Sequence, residues 1–143
     1  MHSVDESRLA AVWPNHGQIV AAWVFGSAQQ GAVRQGSDLD IAVLFIQRPT
    51  LEERLALLAD LQRAAGLEEV DLLILNEASP IARMEALSGP LLFCRDDGAR
   101  SIFASLAARE YESEMAFLAW GLAMQAEIQA VEEVTEAVKE ICG

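Results

Sequence analysis

Two aspartates one residue apart, Asp38 and Asp40, head an apolar run, and Gly26-Ser27 closes the apolar run before it, with ten residues between the two pairs. Side chains alternate faces along a strand, so Asp38 and Asp40 would share one face while Leu39 points into the opposite layer. Two neighbouring carboxylates repel each other, and a hard divalent cation relieves the repulsion. Mg²⁺ takes one or two carboxylates and completes its shell with substrate phosphate oxygens, so the pair is a candidate metal platform. Gly26 allows backbone to approach a ligand, and Ser27 adds a hydroxyl beside exposed N–H groups, a combination that can hold a polyphosphate. Asp71, near the start of a later apolar run, is a third carboxylate that a sheet could bring to the same metal. There it would orient or deprotonate an attacking hydroxyl, as in-line phosphoryl or nucleotidyl transfer requires. The competing readings are plainer: a solvated turn for Asp38 and Asp40, an exposed strand start for Asp71 beside Glu68 and Glu69, and a helix cap for Ser27.

The glycines fail as a P-loop. Gly26 and Gly31 have the required gap, but Ala32 and Val33 occupy the places of Lys and Ser or Thr.

The elements that must position these residues follow from capping signals and periodicity. Ser3-Val4-Asp5-Glu6 is a capping box and predicts a short helix ending before Pro14. Ile19 to Phe25 and Leu39 to Phe45 read as buried strands. Thr50-Leu51-Glu52-Glu53 is a second capping box, followed by Leu51, Leu55, Leu58 and Leu61 at helical spacing until Gly66. Val70 to Leu75 predicts a third strand, Ser79-Pro80 opens a helix that Gly89-Pro90 ends, and Leu91 to Cys94 predicts a fourth strand. From about Asp97 the chain reads as helix in one or two pieces, with an apolar stripe running from Met115 to Ile141. This order predicts one α/β (α+β) domain over residues 1–143: a small mixed sheet of about four strands, flanking helices and a helical C-terminus.

Composition limits the function. A chain of 143 residues that is 52% hydrophobic can bury one core. The net charge of −12 disfavours a nucleic-acid partner, because gripping phosphate backbones needs clustered Lys and Arg. From Ser101 onward two basic residues face eight glutamates, a net −6, which suits a solvated face or a basic partner. No apolar run reaches the ~20 residues of a membrane span. The first residues have neither a basic nor an apolar signal-peptide region, so a cytoplasmic location is expected. Cys94 and Cys142 read as reduced thiols, His16 as a loop residue, and Trp13, Trp23 and Trp120 as core or interface anchors.

Gly-Ser, ten residues, then Asp-x-Asp resembles the signature of the polymerase-β-like nucleotidyltransferases. The chain as a whole resembles the minimal nucleotidyltransferase (MNT) family, the antitoxin halves of HEPN/MNT toxin–antitoxin pairs. The likeness runs through Gly26 to Val43, Val70-Asp71-Leu72 and the helix before Gly89-Pro90. It implies that Asp38, Asp40 and Asp71 are catalytic and bind Mg²⁺, and that Gly26 and Ser27 contact the phosphates of the substrate ATP. AMP would pass to a tyrosine hydroxyl of a cognate HEPN ribonuclease toxin and block it. Family members often carry basic residues directly after Gly-Ser, where this chain has Ala28, Gln29 and Gln30. That departure motivates a second reading, a non-catalytic antitoxin that neutralises its partner by binding through the acidic C-terminal helices. A third is a nucleotidyltransferase for an aminoglycoside-type small molecule, whose positive charge an acidic surface would attract. The helices from about residue 97 are expected to meet a protein partner or a second copy in a homo-oligomer.

Overall fold

Seven successive residues of the strand Leu39–Phe45 are buried, as are all six of Ile19–Val24. Continuous apolar runs of this kind belong at the centre of a sheet covered on both faces. The computed structural model describes residues 6–25 and 39–142. Its elements are α1 (Glu6–Leu9), a 3₁₀ turn (Trp13–Asn15), β1 (Ile19–Val24), β2 (Leu39–Phe45), α2 (Leu51–Ala65) and β3 (Val70–Ile74). A second 3₁₀ turn (Leu75–Glu77), α3 (Pro80–Leu87), β4 (Leu91–Cys94) and α4 (Asp97–Cys142) follow. The sheet order is β3-β2-β1-β4. β1 is antiparallel to both β2 and β4, while β2 and β3 are parallel. The sheet is therefore mixed, with four strands, as its sequence predicts.

The chain falls into two compact units, Met1–Ala108 and Arg109–Gly143. In the first, β2 separates two apolar layers. Leu39, Ile41, Val43 and Phe45 pack with Leu9, Trp13 and, from α2, Leu57 and Leu61. Ala42 and Leu44 face the other way, toward Trp23, Leu75 and Ala86, with Phe103 of α4 partly buried against them. The second unit is helical through Cys142.

Local signals fix the helix ends. Thr50 Oγ1 accepts the Glu53 N–H at 3.1 Å and Glu53 Oε1 accepts the Thr50 N–H at 3.2 Å, so both halves of the capping box form. Gly66 ends α2 in the left-handed region at φ 69°, a conformation that costs glycine little. Ser79 Oγ caps α3 by accepting the Ala82 N–H at 3.2 Å, with Pro80 in the first turn.

The structure sharpens three expectations. Of the leucine stripe on α2, Leu51 is 68% exposed and Leu55 is also exposed, whereas Leu61 and the off-stripe Leu57 are fully buried. The helix rests on the sheet through its C-terminal half, so the phase of the buried face is set by where the sheet lies rather than by the leucine repeat. The first helix is short and ends before Pro14, as expected: it is a single turn, Glu6–Leu9, and Pro14 lies inside the 3₁₀ turn that follows, where its fixed φ suits an early position. The Ser3 capping box begins outside the described residues. Trp120 is 62% exposed, unlike the buried Trp13 and Trp23. Trp13 instead stacks on Phe93 with ring centroids 5.6 Å apart.

An ion cluster ties the far ends of β2 and β3. Glu77 accepts Arg48 Nε at 2.9 Å and Arg54 Nη2 at 2.7 Å. Partial burial works against its charge, but the hydrogen bonds and charges of Arg54 and Arg48 outweigh it and hold the carboxyl below its ordinary value of 4.5. A depressed folded-state pKa gives stability that is fully present above the unfolded value and lost as pH falls through the folded one. Melting curves of wild type and Glu77→Gln are therefore expected to differ at neutral pH and to converge at acid pH, below 4.5. A constant difference across that range would remove the ionised carboxylate from the cluster's stability.

Cys94 and Cys142 are free thiols. Among the described residues no helix is long and apolar enough to cross a membrane.

Candidate active site

β2 enters the sheet at Leu39, and its second residue is Asp40. Asp40 is 2% exposed and is the one buried polar or charged side chain among the described residues. The parallel register pairs it with Asp71 of β3, between the pairs Leu39 with Val70 and Ile41 with Leu72. Residues paired across parallel strands project from the same face, about 4.8 Å apart along the hydrogen-bonding direction. Val70 and Leu72 pack in the layer of Leu39 and Ile41, and Leu73 in that of Ala42. Asp40 and Asp71 therefore project away from α2, on the face of Ala42. Asp71 is exposed, so an open carboxylate lies beside a buried one.

On the other side of β2, the Phe25 N–H donates to the Asp40 carbonyl at 3.1 Å. Residue 25, the last described before Gly26, is thus bonded to the strand that carries Asp40. Trp23 and Phe25 belong to the same apolar layer as Ala42 and wall that face. From sequence Trp23 is expected only as a core or interface anchor and Phe25 is given no role; the signal that ties both to this face is the alternation that places every second residue of β1 on one side.

Of the five site residues expected from sequence, Asp40 and Asp71 are brought into register 31 positions apart. Gly26, Ser27 and Asp38 lie outside the described residues, as do Ala28, Gln29 and Gln30. Among the described residues no three His, Cys, Asp or Glu side chains gather as a metal site. The donors brought into register are two carboxylates, hard oxygen ligands without His or Cys. That set fits Mg²⁺, which accepts one or two carboxylates and leaves its remaining positions to water and phosphate.

The first unit also holds a cavity of about 920 Å³, lined by Ile19, Leu44, Phe45, Asn76, Arg83 and Arg95 among others. It lies at the opposite end of β2, four to five residues or roughly 13–16 Å from Asp40. Its arginines serve the fold. Arg83 Nε donates to the Leu75 carbonyl at 2.9 Å, and Arg95 Nη2 to the Trp13 carbonyl at 3.0 Å. The cavity is the larger feature, but the paired carboxylates lie apart from it, toward the N-terminal end of β2.

The family model described as "Polymerase beta, Nucleotidyltransferase" matches residues 7–98, which take in all four strands. No curated protein matches the chain significantly. Among solved structures, the chain is similar to one from a toxin–antitoxin complex with AMP-PNP, at 24% identity over 79% of this chain and 91% of that chain, with a TM-score of 0.67. It is 26% identical to one from a mutant MntA–HpeT toxin–antitoxin complex, over 80% of this chain and 91% of that one, again with a TM-score of 0.67. A third similarity is to a complex of a tri-AMPylated HEPN toxin with MNT antitoxin from Shewanella oneidensis, at 22% identity over 78% of this chain and 87% of that one, with a TM-score of 0.61.

Proposed function

Because the chain belongs to the polymerase-β nucleotidyltransferase family, we propose that it is an MNT-type antitoxin that transfers AMP from Mg²⁺-ATP to a tyrosine hydroxyl of a cognate HEPN ribonuclease toxin. The observation that carries this reading is the register of Asp40 with Asp71 on adjacent parallel strands, one carboxylate buried and one open. Support for the acceptor comes from the similar complexes, one with AMP-PNP and one with a tri-AMPylated HEPN toxin. A pair of this kind works in the cytoplasm, where ATP and Mg²⁺ are at hand.

In this reading Asp38, Asp40 and Asp71 hold Mg²⁺, and Gly26 and Ser27 contact the phosphates. The bound metal supplies charge neutralisation at the triphosphate and its leaving group. Asp71, the accessible carboxylate, orients the incoming tyrosine hydroxyl and accepts its proton as the oxygen bonds to the α-phosphorus and pyrophosphate departs. Asp40 is fixed by the most buried strand in the sheet, so its carboxylate is positioned before ligand arrives.

A second reading, neutralisation by binding alone, draws on Ala28, Gln29 and Gln30, which leave the segment after Ser27 without basic charge. The two separate when the protein is incubated with α-labelled ATP, Mg²⁺ and the protein encoded beside it, in parallel with Asp38→Ala/Asp40→Ala. Label on the partner with wild type alone is the expected result. Neutralisation without label, retained by the double variant, sinks the transfer reading in favour of binding. Label on an added aminoglycoside instead would point to a small-molecule acceptor.

A further inference from the structure

Between Phe117 and Ile141 the second unit repeats every seven residues. Phe117, Met124, Val131 and Val138 form one column, and Trp120, Glu127, Val134 and Ile141 form the column three residues on. These are the a and d columns of a coiled-coil seam. Alanine occupies each position just before the first column, at Ala116, Ala123, Ala130 and Ala137, so one flank of the seam carries no long side chain and a second helix can lie close. With Ile128, eight large apolar side chains on this face are each between 40% and 84% exposed. Their free surface is on the order of 800 Å², about what one side of a standard interface buries. Scattered apolar residues need no explanation, but an aligned stripe of this size marks an interaction surface.

Charge decides what covers it. Glu132, Glu133, Glu136 and Glu140 lie outside the seam, whereas Glu127 interrupts it and, among the described residues, has no hydrogen bond or ion pair. Arg109 and Lys139 are the only basic residues from 109 onward, and neither falls on the seam or its flanks between Phe117 and Cys142. Pairing with a second copy would bury Glu127 against apolar side chains or another glutamate, an uncompensated charge, and would bring two segments of net −6 together. We propose that the face from Phe117 to Ile141 receives an amphipathic helix of a second protein, with a matching apolar seam and a Lys or Arg that meets Glu127. A single polar residue in such a seam fixes register and partner at some cost in stability. The inference stands whether or not nucleotidyl transfer takes place at Asp40.

The test uses the full chain and two synthetic helical peptides about four heptads long, identical in their Leu and Ile seam except for Lys or Glu at one central seam position. Binding is read by fluorescence anisotropy at physiological salt. Wild type is expected to favour the Lys peptide by at least about tenfold, and Glu127→Lys to reverse that preference. Glu132→Gln/Glu133→Gln, outside the seam, should leave it unchanged. Val131→Asp/Val134→Asp should lose both peptides while keeping its helical circular dichroism. Equal binding of the two peptides by wild type, or a preference that survives Glu127→Lys, overturns the proposal. So does a loss in Glu132→Gln/Glu133→Gln as large as that in Glu127→Lys, which would mark a diffuse acidic attraction. Sedimentation of wild type alone gives a monomer; a dimer that Val134→Asp dissociates would assign the face to a second copy instead.

Discussion

Asp40→Asn is expected to lower nucleotidyl transfer by about a thousandfold while leaving the protein folded. If Asp40 holds the metal as proposed, its removal withdraws several kcal/mol of transition-state stabilisation, and the substitution changes charge without changing shape. The position matters for a second reason. Asp40 is the one buried polar side chain among the described residues, so its replacement must be isosteric if loss of function is to be separated from loss of fold. The clean readout is thermal. With Mg²⁺ and ATP at about a hundred times the dissociation constant, wild type gains roughly 2.7 kcal/mol of stability. Asp40→Asn should melt near wild type without nucleotide and gain almost nothing with it. Equal protection of both proteins would detach Asp40 from nucleotide and metal.

Leu61→Ala should cost roughly 2–5 kcal/mol, whereas Leu51→Ala should stay within about 0.5 kcal/mol of wild type. Both leucines lie on the same helical repeat of α2, yet Leu61 is fully buried against β2 and Leu51 is 68% exposed. Truncating Leu61 removes transfer free energy and leaves a cavity in close-packed surroundings. Truncating Leu51 uncovers nothing and places alanine, the best helix former, in a first turn. Urea midpoints at unchanged slope give the comparison directly. Comparable losses at the two positions would mean that α2 docks through the leucine stripe after all.

That contrast shows how far local sequence reaches. Capping signals act within a few residues, so Thr50 with Glu53, Gly66, and Ser79 with Pro80 announce themselves and fix α2 and α3 closely. β2 and β4 begin and end where their apolar runs do. Which helical face is buried depends on where the sheet lies, so the leucine spacing announces a helix without saying that Leu57 and Leu61 are buried and Leu51 is not. The same holds for tryptophan: Trp13 and Trp23 are buried and Trp120 is not, though all three have apolar neighbours in sequence. Pairings across long separations were illegible. Nothing near His16 signals its 2.7 Å contact with Asp60, 44 positions away. Asp71 was recognisable as a carboxylate near a strand start, but its register with Asp40 is a property of the assembled sheet.

The parallel pairing of β2 with β3 also bears on the time at which the molecule can act. Antiparallel neighbours can be joined by a tight turn, but parallel strands meet only after a crossover has been laid down, here the whole of α2. Asp40 and Asp71 are therefore strangers in any partly made sheet, and even the β1–β2 hairpin complete by itself would lack the second carboxylate. Non-local contacts of this kind are slow to form, because the chain closes the loop before the contact rewards it. A nucleotide that needs both groups would bind only after α2 has seated and β3 has zipped alongside β2. Its binding during refolding would thus time the arrival of the last parallel strand.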